Sequence, residues 1–165
     1  MRVLRALLIV AVFAGAAFLA YRLLYPRPVT ADTVTVYYSK TDGETLVPWK
    51  VTLGSARDRK SVAFYAATQV LAGPPSDTEA VRFPPGTTLR SLQLTGDTAT
   101  VDLSSAVGSQ PGGSLSEGAE FKALVWTLTA LPGISKVQVE VAGAKVPTLP
   151  GGHFELDEPL ARSTF

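Results

Sequence analysis

The chain has no cysteine and one histidine, His153, among its 165 residues. Without cysteine there can be no disulfide, no thiol nucleophile, no cysteine-ligated zinc and no lipidated N-terminal cysteine of the lipoprotein type. One histidine, set among glycines and acids in "GGHFELDEPL", leaves no cluster of His or Cys ligands at regular spacing for a transition metal. It reads as a solvated residue, and no cofactor or metal site is expected. Charge is also scarce, at 18% of residues with a formal net of +1, and four of the fifteen basic residues (Arg2, Arg5, Arg22, Arg27) sit in or beside the first apolar stretch. The remainder is therefore mildly acidic, which gives no electrostatic footprint for nucleic acid or anionic lipid. Internal repeats and low-complexity tracts are absent.

What the sequence does have is a long apolar run at its start. Basic residues 1–5 precede a segment, 6–25, that reaches the roughly 20 residues needed to span a bilayer, with Tyr and Arg at its far end as at a membrane interface. It reads as a transmembrane signal anchor with a cytoplasmic basic N-terminus. The competing reading is a cleaved signal peptide, with a small-residue cleavage pattern at Ala14-Gly15-Ala16. Either way the body is exported, and a Pro-containing linker, 26–32, leads into a domain over 33–165.

Within that domain, "TVTVYYS" alternates Val34, Val36 and Tyr38 against polar neighbours, as a half-buried strand does. "ETLVPWKVTL" is a second strand, with Pro48 placing it at an edge or bulge. A helix follows in "RDRKSVAFYAATQVLAGPP", then a strand pair joined through Gly96-Asp97. A second helix runs from about Leu115 to Leu131, and a last strand lies in "SKVQVEVAG". The order ββαββαβ predicts an α+β domain: one mixed sheet with both helices on one face.

Four places invite chemistry. "GSQPGGSLSEG" (108–118) has two glycines separated by four residues ahead of a helix, but the Walker lysine is missing, so the spacing predicts a capping box, Ser114 as cap and Glu117 reaching back to it. Asp102 and Ser104 in "VDLSS" would need His153 as a base to form a hydrolytic triad. The second helix buries a stripe of Phe121, Leu124, Val125, Leu128 and Leu131, leaving Trp126 on another side with Ala119, Lys122, Ala123 and Ala130. That side is a candidate protein interaction surface, since tryptophan is enriched at binding hot spots; the alternative is packing on Ala63, Ala66 and Ala67 of the first helix. Trp49, Tyr37 and Tyr38, read as exposed, are candidate stacking aromatics for a ligand or glycan.

The phrases "VTVYYSK" (34–40), "LAGPP" (71–75), "FPPGTTLRSLQLTGDTATVDLS" (83–104), "LVWTLTALPGISKVQVEVAG" (124–143) and "LDEPLARSTF" (156–165) resemble the GerMN domain of sporulation and spore-germination proteins. The resemblance implies a non-enzymatic envelope module that works through protein contacts, its partners being other envelope proteins or copies of itself. Relatives carry two such domains, are lipid-anchored and build ring-like assemblies. This chain departs from them in having one domain copy and, in place of a lipidation cysteine, an apparent membrane anchor.

Overall fold

The computed structural model describes residues 32–75, 78–109 and 113–165; the predicted anchor and most of the linker lie outside them. Among the described residues no helix is long and apolar enough to cross a membrane. Strand β1 (Thr33–Ser39) pairs antiparallel with β2 (Leu46–Thr52), Val36 opposite Trp49. Its alternation is as expected, with Val34, Val36 and Tyr38 buried.

Helix α1 (Arg59–Ala72) begins where Asp58 Oδ1 accepts from the Lys60 and Ser61 amides, both at 3.0 Å, satisfying two donors that a helix start leaves unpaired. It stops at Gly73, whose φ of 82° continues no helix. Strands β3 (Leu89–Thr95) and β4 (Thr98–Leu103) form the expected hairpin, with positive φ at Gly96 in its two-residue turn. Helix α2 (Ser114–Thr129) then crosses over to β5 (Lys136–Val141), which lies parallel to β4. A two-residue strand, β6 (Ala144–Lys145), closes the edge. Between β5 and β6 both turn residues have positive φ, 53° at Ala142 and 83° at Gly143. Buried Asp102 steadies this turn by accepting from the Gly143 amide at 2.8 Å, with Arg90 3.6 Å from its other oxygen.

The α+β class stands, but the single sheet does not. β1 and β2 form a sheet of their own, and the four-stranded mixed sheet runs β3-β4-β5-β6. Each helix contacts β1 on one side and the four-stranded sheet on the other, α1 through β3 and α2 through β5. The helices therefore join two sheets, where one was expected. The backbone edge of β1 is met by α2, where the Tyr37 amide donates to Thr127 Oγ1 at 2.9 Å. One continuous core, from Val34 to Leu160, fills the space.

Candidate functional site

Helix α2 positions most of the candidate residues. Ala119, Ala123 and Thr127 are spaced i, i+4, i+8, so they share one helical face, and all three are buried. Small side chains on this face let the strand approach closely enough for the Tyr37–Thr127 hydrogen bond. Ala119 and Ala123 thus offer no surface to a partner, which corrects the expectation for that face. Trp126 is half-buried, with Phe165 packed edge-on at 5.9 Å between centroids. Lys122 Nζ and Arg162 Cζ lie 5.6 and 5.5 Å from the ring centre, within cation–π range. Both cations are also tied down: Lys122 donates to the carbonyls of Gly43 and Glu44, and Arg162 Nε to Thr129 Oγ1. Of the five residues predicted for this surface, Ala130 alone is fully open. Phe165 of the same chain packs against the half-buried tryptophan.

The glycine-rich stretch has a different use from a cap or a phosphate cradle. The cap of α2 is Gly113, which makes no side-chain cap hydrogen bond, and Ser114 is already the first helical residue. Glu117 turns away from the helix start: its Oε2 accepts from the amides of His153 and Phe154 at 2.8 and 3.1 Å, and the side chain is 1% exposed. The capping box fails because these two amides, on a loop 36 residues downstream, take the carboxylate instead. Close approach explains two of the glycines. A Cβ on Gly152 would stand 2.7 Å from Glu117 Oε1, and one on Gly108 would stand 2.1 Å from the Pro150 carbonyl. Gly108 and Glu117, near the two ends of the stretch, form a berth for the 147–156 loop.

One turn on from Glu117 is Glu120, 6% exposed. It opens onto a cleft of about 370 Å³ formed by residues 81–85, Ser116 and Glu120 itself. Burial, helped by repulsion from Glu117, pushes the Glu120 carboxyl up to about 8. The folded chain therefore keeps a proton here that the unfolded chain releases above about pH 4.5. Stability from this group is fully present below that pH and is lost as pH rises toward 8. Asp42, Asp58 and Asp97 are held low by hydrogen bonds, chiefly from Thr45, Ser61 and Ser135, so they act only at acid pH and with opposite sign. Urea unfolding should accordingly show the chain about 1–2 kcal/mol more stable at pH 5.5 than at pH 8.5, after allowance for solvent screening at the cleft mouth. Glu120→Gln should flatten that decline, and an equal slope in the variant would refute the assignment.

The three predicted stacking aromatics do not converge. Tyr38 is buried, its hydroxyl donating to the Gln69 carbonyl at 3.1 Å, which corrects its reading as exposed. Tyr37 lies opposite Pro48, and Trp49 lies opposite Val36. Paired residues share a face and adjacent ones alternate, so Tyr37 and Trp49 project to opposite sides of the hairpin. Trp49, 43% exposed, stands on the inward face next to Val36 but overhangs the edge strand. His153 is exposed, and among the described residues no three His, Cys, Asp or Glu side chains are grouped to hold a metal. Ser104 Oγ accepts from the Thr88 amide and donates to the Gly86 carbonyl, so it serves the 86–88 loop as Asp102 serves the β5–β6 turn.

Comparison with known proteins places this arrangement. A family profile described as "Germane: Sporulation and spore germination" matches residues 35–147. The fold is similar to the first GerMN domain of the sporulation protein GerM from Bacillus subtilis, at 22% identity and TM-score 0.64, covering 81% of this chain and 99% of that one. It is also similar to a Clostridium perfringens protein described as a candidate lipoprotein, at 19% identity and TM-score 0.62, covering 84% and 93%. Against the tandem GerMN domains of the same Bacillus protein the values are 22% and 0.57, with 79% of this chain and 45% of that one covered. No curated protein matches the sequence. With the profile spanning more than half of its length, the chain belongs to the Germane family of sporulation and spore-germination domains.

Proposed function

We propose that this chain is a non-enzymatic, membrane-tethered envelope protein whose exported domain works through contacts with other proteins, copies of itself included. The apolar run at 6–25 would be the tether, taking the place of a lipid in a chain without cysteine. The observation that carries the contact reading is the edge of the hairpin. Among the described residues β2 pairs with β1 alone, and Trp49 extends the apolar inner face of that pair into solvent. An open edge strand with a large aromatic suits a protein partner, since main-chain groups supply affinity and the ring an anchor. Confinement to a membrane raises effective concentration, so weak lateral contacts suffice.

A photo-crosslinking amino acid at position 49 of the full chain, activated in the intact envelope, tests this. Adducts of defined mass are expected at 49 and not at exposed Asp157. A ladder in steps of the 17.4 kDa chain would identify self-assembly, and other masses a different partner. A blank at position 49 would sink the proposal.

A further inference from the structure

The Glu120 cleft has a wall and a floor, and about 370 Å³ between them is unfilled by the described residues. Its floor is the carboxyl of Glu120, a residue 6% exposed, with no hydrogen-bond or ion-pair partner found among the described residues. Its wall is apolar, with Val81, Phe83, Pro84 and Pro85 on one side. The nearby charges do not neutralise it. Arg82 lines the same cleft but donates to the Pro75 carbonyl, Lys122 is bound to the carbonyls of Gly43 and Glu44, and Glu117 adds a second negative charge from the same helix. Ser116, the remaining polar group in the lining, carries no charge.

A buried acid beneath an apolar wall is complementary to a cation on an aliphatic stem. A divalent metal would need several oxygen ligands, and no such group of side chains is found among the described residues. We infer that the cleft between residues 81–85 and the start of α2 receives a lysine or arginine side chain from a partner polypeptide, its stem against Phe83 and the two prolines and its charge on Glu120. This rests on the reading of the domain as a protein-contact module and names the chemistry of one contact. Pro85 and Gly86 are exposed at the rim, where residues flanking the basic side chain would lie. Because Glu120 holds its proton near neutral pH, docking a cation must expel that proton, so occupancy and ionisation are linked.

The test uses the full chain in neutral detergent micelles with carbon-13 glutamate carboxyls, the Glu120 resonance being assigned by its loss in Glu120→Gln. The probes are the blocked tripeptide Ala-Lys-Ala, its norleucine counterpart, and free cadaverine. The lysine peptide should lower the titration midpoint of Glu120 by at least one pH unit and bind Glu120→Gln at least tenfold more weakly. The norleucine peptide should leave the midpoint where it was. Equal shifts from the lysine and norleucine peptides, or an unmoved midpoint under the lysine peptide, would overturn the inference. Cadaverine acting as strongly as the peptide would overturn the polypeptide source. Crosslinking at position 49 is independent of this cleft, so an unmoved Glu120 midpoint with adducts at 49 would overturn this inference alone, whereas a blank at 49 would remove the reading on which it rests.

Discussion

Replacing Phe121 with alanine should cost the fold about 4 kcal/mol, a large share of the roughly 5–15 kcal/mol that holds a typical domain together. Phe121 is fully buried and is the hub of a run of rings. Phe83 meets it edge-on at 5.7 Å, and Phe154 stacks on its other side at 5.1 Å and 11°. Phe154 in turn stacks on Phe165 at 5.8 Å, and Phe165 closes on Trp126. Truncation would remove the ring's burial, leave a cavity and take away the backing of Phe154. The loss should therefore reach the C-terminus: Trp126 emission should shift to the red in the native baseline, before global unfolding begins. Phe121→Leu, which keeps most of the apolar volume, should cost about 1–1.5 kcal/mol and leave the emission nearly unchanged. Urea unfolding followed by tryptophan fluorescence reads both quantities. An alanine variant within about 1 kcal/mol of the parent would show that the ring cluster does not organise the fold.

The second large effect belongs to Glu117. Glu117→Ala would strand the amides of His153 and Phe154 and open space beneath Gly152, a loss of about 3 kcal/mol for two charge-assisted hydrogen bonds. Its signature would be local. Amide exchange at 153 and 154 should accelerate at least tenfold relative to the strands β4 and β5, because the 147–156 loop loses its attachment to α2. Glu117→Gln keeps an acceptor in the place of Oε2, so it should retain most of the protection. It would also remove the charge that repels the Glu120 carboxylate, so the Glu120 midpoint should move down toward the ordinary range. Protection at 153 and 154 that survives in Glu117→Ala would mean that the loop is held by other contacts.

Much of the architecture was legible in local pattern. The alternation of Val34, Val36 and Tyr38, the Gly73-Pro74-Pro75 stop and the Gly96-Asp97 turn each found the element they mark. Period proved a better guide than residue type at Tyr38, which the alternation turned inward while its aromatic character had nominated it for solvent. Strand neighbours were a different matter. Alternation tells which face of a strand is buried but not which strand lies beside it, so two sheets were indistinguishable from one. β6, at two residues, is too short to show a period. On α2 the deciding contacts come from far along the chain: Phe165 packs on half-buried Trp126, and Glu117 is claimed by residues 153 and 154. Glu120 carries a signal of its own in the sequence. Positions 117, 120, 124 and 128 fall at i, i+3, i+7 and i+11, which puts two acids in line with the apolar stripe formed by Leu124 and Leu128.

The parallel pairing of β4 with β5 bears on the order in which the domain is made. Each hairpin can close as soon as its own residues are available, but β4 cannot gain its second neighbour until the chain has passed through α2 to residue 141. Even then Val137 waits for Leu160, with which it exchanges backbone hydrogen bonds, and Trp126 waits for Phe165. A chain delivered N-terminus first would thus emerge with two loose hairpins and a helix in search of a sheet. Its cooperative core would assemble only when residues 160–165 arrive. Such a late-closing topology keeps the domain threadable until most of residues 33–165 have passed, at the cost of a slow, non-local step.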